Sequence, residues 1–183
     1  MDNGASSYRR FLDGDRSAFD EILIAYRDGL TLFIDGFVHD TMTAEDIAID
    51  VFAYLLTNPE KYNFSVTLKT YLYMLGRSRA LDYLKRKRKR VIVAPEDAEA
   101  ELADYDSLER AVLADERSRI VNRAISKLPE KLRTVVYLVF FEGLSYEETA
   151  KVMKMNKKQV DNLLYRAKSQ LRALLGEEGR SLI

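Results

Sequence analysis

Apolar residues recur at steps of three and four along most of this chain, the spacing of helices with one buried face. The first predicted helix starts near Ser17 and carries Phe19, Ile22, Leu23, Tyr26, Leu30, Phe33, Ile34 and Phe37 on one wide side. Gly29 and Gly36 weaken it slightly without breaking the pattern. Thr43 is placed to cap a second helix, with Asp46 in its first turn where the helix dipole favours a carboxylate. Ile47, Val51, Tyr54 and Leu55 form its inner side, and Asn58-Pro59 ends it. After the loop 62–65, a third helix turns Leu68, Tyr71, Leu72 and Leu75 inward, and Leu81 and Leu84 resume that stripe. It runs into six consecutive cations, Lys85, Arg86, Lys87, Arg88, Lys89 and Arg90. The stripe then lapses. VIVAPEDAEAELADYDS, residues 91–107, is acidic and proline-marked and reads as a flexible linker, although residues 98–103 are compatible with a helix. From Leu108 the period returns. Val112, Ile120, Val121, Ala124, Ile125 and Leu128 define a helix stopped by Pro129. Leu132, Val135, Val136, Val139 and Phe140 define another, ended by Gly143.

The next stretch, 144–175, reads as two helices joined by a tight turn. Ser145 caps the first, with Glu148 completing a capping box, and Asn156 restarts the chain with Gln159 in the matching place. Ala150 is small, as a close helix crossing requires, and Val152, Met153 and Met155 are apolar. Val160, Leu163, Leu164, Ala167, Leu171 and Leu174 form the buried stripe of the second helix. Its other face carries Lys157, Lys158, Asp161, Asn162, Tyr165, Arg166 and Lys168. A helix in a major groove needs that set, amides for base edges and cations for phosphates. The competing reading is an ordinary helical hairpin with a solvated charged face. The pattern predicts an all-α protein of two small helical domains, residues 1–90 and 108–176. The acidic linker 91–107 joins them, a tail 177–183 follows, and the C-terminal domain has four helices including the helix-turn-helix.

Composition narrows the chemistry. The 183 residues are 47% hydrophobic, enough for real cores, and include no cysteine, so disulfides and thiolate metal sites are excluded. No apolar run approaches the roughly 18–20 residues that span a bilayer, and MDNGASSYRR lacks a signal-peptide core. A cytoplasmic protein is expected. Formal net charge is zero, but its distribution is uneven. Residues 1–60 hold 4 basic against 12 acidic side chains, 61–90 hold 10 against 1, 91–116 hold 1 against 9, and 117–172 hold 13 against 5. Two basic surfaces therefore suit a polyanion, while the acidic front suits a basic protein. Glu45, Asp46 and Asp50 share a helix surface, so a metal or acid–base site has to be weighed. The lone histidine, His39, falls in a connector as a surface residue, and no glycine-rich phosphate loop accompanies the acids. They read as a docking face, with no metal or cofactor expected. Lys69, Tyr73 and Arg77, four apart, line up as cation, aromatic and cation, which suits a single strand with a base stacked on the ring. A snorkelling row around a half-buried tyrosine fits equally.

TAEDIAIDVFAYLL (43–56), TYLYMLGRSRALDYLKRKRKR (70–90) and LPEKLRTVVYLVFFEGLSYEETAKVMKMNKKQVDNLLYRAKSQLRALL (128–175) together resemble bacterial RNA polymerase sigma factors of the extracytoplasmic-function class. The resemblance implies a promoter-specificity subunit without catalytic residues. Glu45, Asp46 and Asp50 would dock on the clamp of the largest polymerase subunit, and the second-largest subunit's flap would be a further contact. Asn63, Phe64, Ser65, Lys69, Tyr73, Arg77, Ser78, Lys85, Arg86 and Arg88 would bind and help melt the minus-ten element, capturing flipped bases. Ser145, Lys157, Lys158, Gln159, Asp161, Asn162, Arg166 and Lys168 would read the minus-thirty-five element as duplex. The linker would thread the polymerase cleft, and an anti-sigma factor would silence the protein by wedging between its domains. Five positions depart from the family pattern. Ser78 replaces an asparagine and Ile49 a frequent glutamine, Asp161 and Leu163 stand where basic residues are common, and Lys154 replaces the turn glycine. Three other readings stay open: a stand-alone helix-turn-helix regulator binding duplex DNA without polymerase, a nuclease using Glu45, Asp46 and Asp50, and a regulator that keeps the fold but binds protein alone.

Overall fold

The computed structural model describes residues 4–93 and 116–176, and every regular element among them is helical. The expectations for residues 94–107, for a helix at 98–103, for Leu108 and Val112, and for the tail 177–183 lie outside the described residues. The chain divides into two compact units. One holds α1 (Ala5–Leu12), α2 (Ser17–Val38), α3 (Thr41–Thr57) and α4 (Leu68–Val93), with a 3-10 turn at Pro59–Lys61. The other holds α5 (Glu116–Ser126), α6 (Glu130–Val136), a π turn at Tyr137–Phe141, α7 (Tyr146–Met153) and α8 (Lys157–Leu175).

In the first unit α1, α3 and α4 all pack on α2. Phe19, Ile22, Leu30, Phe33, Ile34 and Phe37 of α2 are buried, and so are Ile47, Val51 and Leu55 of α3 and Leu68 and Leu72 of α4. A Cβ on Gly76 would stand 2.8 Å from Leu30 Cδ1 and 3.3 Å from Ile34 Cδ1, so glycine lets α4 cross α2 at close range. Three boundaries differ from expectation. First, α3 starts at Thr41 after an extended Asp40, and the Thr43 hydroxyl donates to the Asp40 carboxylate from inside the helix. Thr43 is therefore not the cap, and Asp46 falls beyond the first turn. Second, α4 starts behind Thr67, whose Oγ1 accepts from Thr70 N at 3.2 Å, and runs through the cations to Val93. Residues 91–93 thus belong to the helix, because the first proline after the start of α4 is Pro95. Third, α1 adds a helix that the apolar period does not predict. Its inward side is essentially Tyr8 and Phe11, too few residues to register as a period.

In the second unit Ala124, Ile125, Leu128, Leu132, Val136, Ala167 and Leu171 form a core, with Val121, Leu163 and Leu175 packed against it. Ile120, Phe140 and Leu174, expected inside, are half exposed. Glu142 N donates to Tyr137 O at 3.0 Å, five residues back, which widens the helix by one residue. That shift turns Leu138 fully inward and Phe140 outward. At Leu174 the inward place is taken by its neighbour Leu175, and at Ile120 by Val121.

Both capping boxes expected at Ser145 and Asn156 are formed. Lys154 ends α7 with φ 54° and ψ 51°, the left-handed conformation that glycine adopts freely and a side chain resists. Lys154→Gly is expected to raise unfolding stability by about 0.5–1 kcal/mol, the left-handed cost less glycine's extra chain entropy. Denaturant unfolding with matched slopes checks it, and an unchanged or lowered midpoint would contradict the strain argument.

Candidate nucleic-acid interface

The helix-turn-helix presents α8 on two reciprocal caps. Ser145 N donates to Glu148 Oε2 at 2.9 Å while Glu148 N donates to Ser145 Oγ at 3.2 Å. Asn156 N donates to Gln159 Oε1 at 2.8 Å while Gln159 N donates to Asn156 Oδ1 at 2.9 Å. The Gln159 carbonyl oxygen is thereby engaged in the cap, leaving its amino group outside it. Val160, Leu164, Ala167 and Leu171 anchor the inner stripe. That leaves Lys157, Lys158, Asp161, Asn162, Tyr165 and Arg166 exposed together on the outer face. Lys168 is half-buried, its Nζ 5.5 Å from the centroid of the Phe140 ring. Leu163 is half-buried against the core, so apolar packing accounts for its departure from a basic residue.

Lys157 is not simply offered to DNA. Its Nζ lies 2.5 Å from Glu147 Oε1 on α7, and that hydrogen bond pushes the ammonium's pKa up and the carboxyl's down. Asp161, one turn further along α8, adds to the upward push on Lys157. A phosphate approaching Lys157 must compete with a carboxylate already in place.

In the first unit, Glu45, Asp46 and Asp50 are exposed on α3, as expected. The same face carries Met42, Ile49 and Leu56 at intervals of seven, with Met42 77% and Ile49 61% exposed. Sequence reasoning misses this apolar stripe, because the inward residues of α3 carry the stronger period. Asp50 Oδ2 stands 4.0 Å from Arg79 Nη1 on α4, and the Arg79 guanidinium lies 5.1 Å over the Tyr54 ring. Among the described residues no three His, Cys, Asp or Glu side chains are grouped to hold a metal ion.

The loop before α4 is tied into a defined shape. Tyr62 donates its hydroxyl to Val66 O at 2.8 Å, and Ser65 N donates to Asn63 Oδ1 at 3.1 Å. Phe64 sits between them with φ 59° and is half-buried, its ring 4.6 Å from that of Tyr62. Asn63 and Ser65 are exposed, while Lys69, Arg77 and Ser78 are half-buried on α4. Tyr73 is a correction. It is 0% exposed, its ring 4.9 Å from Phe33, and it offers no face to a stacked base. The four-residue spacing describes a row on a helix equally well whether that row faces water or a neighbour. Here the row borders Leu72, and α2 covers it. Lys69 Nζ approaches that ring to 6.0 Å. Lys85, Arg86 and Arg88 stand exposed along α4 with the rest of the basic run.

Both units of the chain are matched by known proteins. The profile for sigma-70 region 2 matches residues 24–90, and that for sigma-70 region 4 matches residues 118–171. The RNA polymerase sigma-H factor of Pseudomonas aeruginosa is 34% identical over 166 residues, covering 86% of each chain. The ECF RNA polymerase sigma factor SigW of Bacillus subtilis is 27% identical over 170 residues, covering 88% of this chain and 91% of its own. Among solved structures, the sigma factor RpoE of Bartonella quintana, crystallised with the anti-sigma factor NepR, shares the fold. Its TM-score is 0.68 at 18% identity, over 86% of this chain and 96% of that one. The chain belongs to the sigma-70 family of RNA polymerase sigma factors, in its extracytoplasmic-function class, and is a promoter-specificity subunit.

The charge map of α8 carries a prediction. Reversing Lys157 and Lys158 together to glutamate lowers duplex affinity and flattens the dependence of log K on log salt by about 0.9 for each phosphate left without its cation. A salt series on a minus-thirty-five duplex measures this, and an unchanged slope would remove both lysines from the backbone contacts.

Proposed function

We propose that this chain docks on core RNA polymerase through the outer face of α3, captures melted minus-ten DNA with the loop 62–66 and α4, and reads minus-thirty-five duplex with α8. The observation that carries the proposal is the division of labour within the first unit. There α3 exposes an apolar stripe flanked by Glu45, Asp46 and Asp50, whereas α4 exposes Lys85 to Arg90. One surface suits a protein helix and the other a phosphate backbone. A stand-alone regulator would need neither.

Each segment then has a role. The stripe of Met42, Ile49 and Leu56 matches the spacing with which one helix lies against another, and the acids steer a basic partner. The clamp of the polymerase's largest subunit is that partner. Ile49 contributes area where a glutamine would contribute a hydrogen bond. Asn63, Ser65, Arg77 and Ser78 border the captured strand, with Phe64 as the aromatic platform in place of Tyr73. Lys69, Lys85, Arg86 and Arg88 meet phosphates. On α8, Lys158, Arg166 and Lys168 meet phosphates, while Asn162, the Gln159 amino group and Asp161 face base edges, with a cytosine amino group the natural partner for Asp161. Ser145 places the first helix against the backbone. The exposed Phe140 and Phe141 give the second unit an apolar contact for the polymerase flap. The first unit, which closes with α4 at Val93, reads the minus-ten element, and the second reads the minus-thirty-five element. The work is done in the cytoplasm without catalysis by this chain, and an anti-sigma factor covering the basic faces would silence it. Among the described residues no helix is long and apolar enough to cross a membrane.

The deciding experiment is transcription by purified core polymerase from the source organism on a genomic fragment library, with and without this protein. New start sites that appear only in its presence are expected, and they identify both promoter elements at once. No initiation despite duplex binding by the protein alone would favour the stand-alone regulator. Ile49→Glu places a charge on the stripe and is expected to weaken core binding by about 2 kcal/mol, the scale of an interface hot spot. Duplex binding by the isolated protein should not change. Equal core affinity would place the polymerase contact elsewhere.

A further inference from the structure

We infer that α1, which precedes the residues matched to region 2, is part of the promoter-melting site, with Arg9 as the residue that positions Phe64 for the captured base. The inference rests on the assignment of the loop 62–66 to minus-ten capture.

Tyr8 shows why α1 is where it is. Its side chain is fully buried, and its hydroxyl donates to Leu55 O, 47 residues away in sequence, at 3.1 Å. Its ring lies edge-on to Tyr62 at 5.4 Å and 6.1 Å from Phe64, so it forms the wall behind the loop. Burial, with smaller contributions from Tyr71, Glu60 and Tyr62, pushes the phenol up to about 12, so it stays a neutral donor. Phe11 extends the same wall toward Phe19 at 5.1 Å. On the outside, a separate clip fastens α1 to α2. Arg10 reaches Asp15 at 2.6 Å and Glu21 at 3.0 Å, and Ser7 donates to Glu21 at 2.8 Å.

Arg9 takes part in neither attachment. Its guanidinium carbon lies 4.9 Å from the centroid of the Phe64 ring, and the residue is exposed. Phe64 holds a left-handed backbone, which a side chain resists, so contacts to its ring help hold the loop in that shape. Tyr62 bears on it from within the loop and Arg9 from α1. A planar cation on an aromatic face both orients the ring and stacks with flat groups beside it. It also places a positive charge beside the Phe64 ring. Arg9 is thus a positioning residue for base capture rather than a support for the fold. Because Tyr8 and the Arg10 clip hold α1 without it, Arg9 can be changed while the helix stays docked.

The test uses holoenzyme and labelled non-template-strand oligonucleotides from a promoter opened in the transcription assay, varied one base at a time across the minus-ten element. Wild-type protein should show one position of strong base preference due to Phe64. Arg9→Ala is expected to reduce discrimination at that position about five- to tenfold while leaving the other positions' preferences in place. Arg9→Lys should restore overall affinity but not the discrimination, since an ammonium is a point charge without a stacking plane. A uniform loss of affinity with preferences intact, or no change at all, would overturn the role of Arg9. Phe64→Ala separates the two levels. If it flattens one position and Arg9→Ala does not, the inference fails alone. If it changes no preference anywhere, the loop assignment beneath the inference fails as well.

Discussion

The wide apolar face of α2 is the constraint on which the first unit depends. It is broad enough that one partner helix cannot cover it, and α1, α3 and α4 each pack on it. The helical surfaces of α3 and α4 that are given a role in this unit are the reverse sides of helices whose fronts are committed to α2. Met42, Ile49 and the acids of α3 point to solvent because Ile47, Val51 and Leu55 point inward. The exposed cations of α4 follow from the same logic. In the second unit α8 occupies the corresponding position, packed against α5, α6 and α7. Its inner stripe is buried strongly enough to fix which way its outer face must look.

A net charge of zero therefore describes a protein with sharply separated surfaces. The acids of α3 and the cations of α4 sit on adjoining helices, joined at one point by Arg79 and Asp50. On the helix-turn-helix the Glu147–Lys157 pair performs a similar partial neutralisation. Exposed pairs of this kind add little to stability. Their larger effect is on binding, since each must be loosened or shared when a phosphate or a partner arrives. Charge that is already paired raises the requirement for correct geometry in the partner, which favours specificity over raw attraction.

The sequence is most legible where the determinants are local. Both capping boxes of the helix-turn-helix, the stripe of α2 and the stop at Asn58 depend on residues within a few positions of one another. Legibility fails where a distant element decides the outcome. Tyr73 belongs to a row that reads as cation, aromatic and cation, yet Phe33 claims its ring. Phe140 fits the helical period, yet a π turn reverses it with Leu138. The helix α1 carries almost no periodic signal and exists because Tyr8 finds Leu55 and Tyr62. In each case the hydrophobic pattern is present but does not identify its partner.

By itself the sequence determined an all-helical chain with two charged, DNA-suited regions and a capped helix-turn-helix, because capping chemistry and helical period act over a few residues. The family resemblance in its motifs followed from the same short stretches. Tertiary structure alone decided which aromatic ring stays partly exposed, Phe64 rather than Tyr73, and which unpredicted helix braces it. That choice turns on contacts between residues dozens of positions apart, and burial there depends on which helix arrives to cover a face, which no local spacing encodes.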